Sequence, residues 1–122
     1  MTRWLVDAMN VIGTRPDGWW RDREGAVRRL LEELREFADG GERVTVVLDY
    51  GPPELAGRDG PLEVVIAPGR GRNAADDEIA RLLDADDDPA SVRVVTSDGE
   101  LAARARALGA AVEGAGTFRR RL

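Results

Sequence analysis

Along 122 residues, short β-branched and aliphatic runs alternate with longer segments whose apolar residues recur at helical spacing, and that alternation admits few folds. Trp4-Leu5-Val6 is a first strand, ended by Asp7. From Asp22 to Ala38, Val27, Leu30, Leu31, Leu34 and Phe37 fall on one helical face, and Gly40-Gly41 stops the helix. Arg43 to Leu48 (RVTVVL) is a second strand ending at Asp49, and Gly51-Pro52-Pro53 forbids its continuation. Leu62 to Ile66 is a third strand, followed by the loop Pro68 to Asn73 and a helix from Ala74 to Leu83. Val92 to Val95 is a fourth, ending in Thr96-Ser97-Asp98. Glu100 to Leu108 is helical, Gly109 caps it, and Ala110 to Val112 is a short fifth strand. The tail, Gly114 to Leu122, closes with a fragment of helix. The pattern predicts one α/β domain over residues 1–122, a parallel sheet with helices on both faces.

In such sheets ligands gather outside the carboxyl ends of the strands. Asp7, Asp49 and Asp98 each stand at that end of a strand, and Asp76 and Asp77 open the helix after the third. Up to five carboxylates are therefore expected on one edge. Taken singly, most have ordinary roles. Asp49 suits a turn, Asp76 completes a capping box with Asn73, and Asp98 favours the first turn of a helix that Ser97 would cap as S-x-x-E. Asp7 resists such a reading, because it directly follows the apolar run of a central strand. Their joint placement reverses the odds for the rest, since close carboxylates repel unless protonated or bound to a cation. Asn10, three residues after Asp7, is placed to orient a carboxylate or simply to form an Asx turn. Thr96 and Ser97 are placed to position a ligand or substrate phosphate, or to cap. Trp19-Trp20 either stacks bases or staples the following helix to the core, the second being the better expectation.

Composition narrows the chemistry of that edge. All 18 basic residues are arginine, and lysine, histidine and cysteine are absent. Disulfides, thiolate nucleophiles, Cys/His zinc sites, imidazole-based triads and lysine-dependent Schiff-base or P-loop chemistry are excluded. Oxygen donors alone select Mg²⁺ or Mn²⁺. GC-rich coding also removes lysine, so the argument rests on where the acids stand. The net charge of −5 is unevenly spread, with arginines gathered in Arg15 to Arg29, Arg70-Gly71-Arg72 and Arg119-Arg120-Arg121. Apolar runs of only a few residues predict no membrane span, and Asp7 arrives too early for a secretory signal, which makes a cytoplasmic protein the expectation.

The pieces Leu5-Val6-Asp7-Ala8-Met9-Asn10-Val11-Ile12, Val46-Val47-Leu48-Asp49, Ala75-Asp76-Asp77-Glu78-Ile79 and Val94-Val95-Thr96-Ser97-Asp98 resemble, in order, the YacP-like NYN domains of the PIN-like nuclease superfamily. The closing Gly114 to Leu122 is similar to the same branch. The resemblance implies a three-layer α/β/α sandwich with a five-stranded parallel sheet in the order 3-2-1-4-5. It further implies metal-dependent endonucleolytic cleavage of RNA. Asp7, Asp76 and Asp98 match the family's acidic positions, with Asp77 as a further acid; together they would hold one or two Mg²⁺ or Mn²⁺ ions. Asp49 matches the aspartate ending the second strand and Asn10 the asparagine of the opening motif. Arg70, Arg72, Arg119 and Arg120 are the candidates for phosphate contacts. RNA is the implied partner, the ribosome or translation machinery a family-level association, and a homodimer is compatible with it. The opening motif departs from the family's Asp-Gly-Tyr-Asn at Ala8 and Met9, and the sequence ends at Leu122, where relatives often continue into a basic helical extension.

Two other folds with acids at strand ends fail on these residues. A receiver domain wants an acidic pair near Asp7 and a lysine after the last strand; a haloacid-dehalogenase-type phosphatase wants Asp-x-Asp where this chain has Asp7-Ala8-Met9. The standing alternative is a non-catalytic RNA- or ribosome-binding module on the same scaffold.

Overall fold

The computed structural model describes residues 2–122. Strands β1 (Arg3–Asp7), β2 (Arg43–Leu48), β3 (Gly57–Asp59), β4 (Leu62–Ile66), β5 (Val92–Val95) and β6 (Ala111–Glu113) form one sheet in the order β3-β4-β2-β1-β5-β6. Helices α1 (Ala8–Ile12), α2 (Arg23–Asp39), α3 (Ala74–Asp84), α4 (Gly99–Ala107) and α5 (Ala115–Arg119) connect and cover it. Every strand pair is parallel except β3 with β4.

The sequence predicts five parallel strands, and the sheet has six. The order 3-2-1-4-5 describes the parallel strands and omits the antiparallel edge strand β3. Gly57-Arg58-Asp59 carries no apolar residue and is exposed throughout, so hydrophobic periodicity cannot reveal it. Its readable signal is the turn. Asp59-Gly60 is a hairpin dipeptide, and Gly60 takes the positive φ of 59° that such a turn needs. A short, charged outer strand also blunts the sheet edge.

Period-two alternation along the strands divides the core into two layers. Trp4, Val6, Val44, Val46, Leu48 and Val64 pack with α1, α2 and α5 on one face. Leu5, Val47, Val92 and Val94 pack with Ile79 and Leu83 of α3 and Leu101 and Ala105 of α4 on the other. In α2 the expected stripe is buried at Val27, Leu30, Leu31 and Leu34, and Asp22 caps the helix by accepting from the Gly25 amide at 3.0 Å. The one-turn helix α1 is not predicted by the hydrophobic pattern, which gives no element between Asp7 and Asp22. Ala8, Val11 and Ile12 form it because burial against α2 and α5 offsets the poor intrinsic stability of so short a helix.

Trp19 and Trp20 divide the two readings of that pair. Trp19 packs against the α1–α2 core, whereas Trp20 is 63% exposed. Among the described residues no helix is long and apolar enough to cross a membrane.

Candidate functional site

The carboxyl edge of the sheet is built from β1, β2 and β5, the loops after them, and the first turn of α3. Alternation along β1 directs Trp4 and Val6 to the α1–α2–α5 face and Leu5 to the α3–α4 face, so Asp7 continues on the side of α3. There it meets Asp76. Asp7 is 3% exposed and has no arginine partner among the described residues. Burial chiefly, and then the neighbouring Asp76 carboxylate, push its pKa up to about 7. Asp76 is raised too, by burial first and by Asp98 next, while its hydrogen bond with Asp7 pulls it down. Each carboxylate opposes ionisation of the other, as buried like charges without a cation do.

Asn10 fastens this pair to the next strand end. Its Nδ2 donates to Asp7 Oδ2 at 2.8 Å, and its Oδ1 accepts from the Ser97 backbone amide at 2.9 Å. Thr96 is 2% exposed, and its hydroxyl accepts from the Asp98 amide at 3.0 Å. Thr96 therefore braces the turn from inside, in line with the second of its two expected roles. Ser97 is exposed, and its Oγ accepts from the Ala115 amide at 3.2 Å, tying the edge to α5. Asn10→Ala removes both bridges and is expected to lower stability by about 1–2 kcal/mol in urea denaturation. Asn10→Asp should lose more at pH 8 than at pH 5, because it adds a third negative charge beside Asp7. Wild-type stability for both would contradict the bridging role.

Asp98, not Ser97, is the N-cap of α4. Its Oδ1 accepts from the Glu100 and Leu101 amides, each at 2.9 Å, and no donor among the described residues reaches Oδ2. The capping box expected of Asn73 and Asp76 is not formed: Asn73 makes no side-chain cap, and the Asp77 amide donates to its backbone carbonyl instead. Asp76 is thereby free to lean on Asp7. Asp77 points outward, 3.6 Å from Arg104 with its side chain 72% exposed, which separates it from the pair. Asp49 is also at the edge and adds to the field on Asp7, yet its Oδ1 is taken by the guanidinium of Arg23 and by the Tyr50 amide. Arg23 belongs to an arginine run visible in the sequence, but its tie to Asp49 depends on where α2 docks.

Arg70 and Arg72 lie exposed in the loop between β4 and α3, on the edge that carries Asp76, with no ion pair among the described residues. Arg119 and Arg120 are on and just beyond α5. Arg120 reaches Thr117 at 3.3 Å, and Arg119 Nε is buried without a hydrogen-bond partner among the described residues. Arg121 instead chelates Glu113, at 2.7 and 2.9 Å, and lies over the Trp4 ring.

In kind and in charge these donors fit a hard cation: they are oxygens only, and Asp7 is a buried acid lacking a positive partner. Among the described residues no three His, Cys, Asp or Glu side chains form one ready-made ligand group. The close pair is Asp7 with Asp76, with Asp98 within electrostatic reach and Asp77 turned outward toward Arg104. Mg²⁺ is commonly held by one or two carboxylates, with water and phosphate completing its shell.

A largely parallel sheet with α-helical layers on both faces and acids toward its carboxyl edge defines the class as a doubly wound α/β fold. No family model matches the chain, and no curated protein matches it significantly. Among solved structures, a mutant of Rae1 (YacP) from Bacillus subtilis superposes with a TM-score of 0.76 at 25% identity, over 98% of this chain and 74% of that one. The chain has a YacP-like fold.

Proposed function

We propose that the protein is a metal-dependent endoribonuclease, working through Mg²⁺ or Mn²⁺ at the carboxyl edge of the sheet. The observation that carries this reading is Asp7, a buried carboxylate pressed against Asp76 with no cationic partner. Such a pair is costly as it stands and is relieved by a divalent ion. The YacP-like fold and the resemblance of the four acidic pieces to NYN domains support RNA as substrate.

Asp7 and Asp76 would hold the ion, with the unbonded Oδ2 of Asp98 available beside them. When bound, Mg²⁺ or Mn²⁺ supplies Lewis acidity to a phosphate and lowers the pKa of water. Asn10 holds Asp7 Oδ2, so the carboxylate keeps one orientation. Arg70 and Arg72 would take phosphates flanking the scissile one, since they are unpaired on the same edge. Asp49, neutralised by Arg23, shapes the field without being a free ligand. A homodimer and an association with the ribosome belong to this proposal only as family associations.

Purified protein should cleave structured or single-stranded RNA with Mn²⁺ or Mg²⁺ and lose that activity in chelator. Asp98 allows a sharp control. Asp98→Asn keeps the helix cap, because asparagine caps as well as aspartate, so stability should hold while cleavage falls. Asp98→Ala should lose activity and about 1 kcal/mol of stability together. Cleavage that survives Asp98→Asn would point to a contaminating nuclease, and binding without cleavage would favour the non-catalytic module.

A further inference from the structure

The first turn of α2 and the loop after β2 enclose an open groove of about 360 Å³, lined by Arg23, Glu24, Val27, Tyr50, Pro52 and Leu55. Tyr50 is 62% exposed although large aromatics are otherwise mostly covered here. The Arg23 guanidinium lies 3.8 Å from its ring centroid and hydrogen-bonds the Tyr50 carbonyl at 3.2 Å, so the ring is held in place while much of it stays open. Arg23 also grips Asp49, which makes the groove continuous with the carboxyl edge. Its charged lining is Arg23, paired with Asp49, and Glu24, paired with Arg28 at 3.4 Å.

A fixed, half-open aromatic ring backed by a guanidinium, with proline and leucine walls, suits a flat ring of a nucleobase. We propose that this groove is a subsite for a nucleobase of the RNA strand, with Tyr50 as its stacking surface and Arg23 as the residue that holds Tyr50 in position. The proposal rests on the ribonuclease reading, since the strand must run from the acidic pair toward the groove.

Tyr50 is the only tyrosine in the chain, so 3-fluorotyrosine labelling puts a single ¹⁹F nucleus in the groove. The labelled full chain, kept in chelator to prevent turnover, is titrated with each of the four nucleoside 5′-monophosphates and separately with ribose 5-phosphate. The nucleotides should move the resonance saturably, and ribose 5-phosphate should leave it unmoved. In cleavage assays Tyr50→Ala should raise KM about tenfold with a smaller change in kcat, and Tyr50→Trp should restore it. A resonance that no nucleotide moves, or that ribose 5-phosphate moves equally, overturns the subsite. Metal-dependent cleavage with a silent resonance would leave the nuclease reading standing and remove only this proposal. A saturable nucleotide shift without any chelator-sensitive cleavage would retain the base subsite and retire the nuclease.

Discussion

Asp7→Asn is expected to abolish RNA cleavage and, at pH 8 in chelator, to make the protein more stable. The substitution keeps the acceptor that Asn10 Nδ2 uses and deletes a buried charge. Asp7 has a folded pKa of about 7 against an ordinary value of 3.8, raised chiefly by burial and then by Asp76. For an acid whose folded pKa is raised, the stabilisation is fully present below the unfolded pKa. It drains away as pH climbs from about 4 to 7 and stays lost above. The difference between those two values corresponds to roughly 4 kcal/mol. Asp7→Asn escapes that loss, so its advantage in urea midpoint should be greatest above pH 7 and should vanish near pH 4. Added Mg²⁺ or Mn²⁺ should stabilise the wild type by binding the folded state and leave Asp7→Asn unmoved. Cleavage should be lost altogether, because the substitution removes a residue that would hold the ion itself. A variant that is less stable than wild type at pH 8 in chelator would show that Asp7 is already satisfied within the protein, and the argument for a cation would go with it.

The second large effect lies in the tail. Phe118→Ala is expected to cost about 3–5 kcal/mol, measured as a drop in the urea unfolding midpoint. Phe118 is fully buried and closes an aromatic triangle, with ring centroids 5.1 Å from Trp4 and 5.4 Å from Phe37, while Trp4 and Phe37 stand 5.6 Å apart. Such pairs add to the area term through edge-to-face packing. The three-arginine run beside it therefore follows a segment locked into the core. A cost below about 1 kcal/mol would mean that α5 is only loosely docked and that the run is a free basic arm.

The residues themselves carried much of this architecture. Trp4-Leu5-Val6, the RVTVVL run and Val92 to Val95 are strands because β-branched runs bounded by turn signals have few alternatives, and each is a strand of the sheet. The α2 stripe is equally plain. Gly57-Arg58-Asp59 stayed hidden because an exposed edge strand owes its pairing to a partner, not to its own pattern. Helix α1 stayed hidden because five residues become helical only when the neighbouring helices cover them. Tyr50 offered no signal at all, since its place over the groove follows from Arg23, which lies 27 residues earlier in the chain.

The sequence alone determined that several aspartates share one edge, because strand ends are set locally and parallel connections return every strand in the same direction. It also determined that any metal there must be a hard one, because no histidine or cysteine exists to bind another kind. Only the tertiary structure decided which acids are partners. Pleat direction at Asp7 and the docking of α3 bring Asp76 against it, α4 takes one oxygen of Asp98 for its cap, and α2 delivers Arg23 to Asp49. Those choices depend on angstrom-scale placement of elements far apart in the chain, and spacing along a sequence does not encode them.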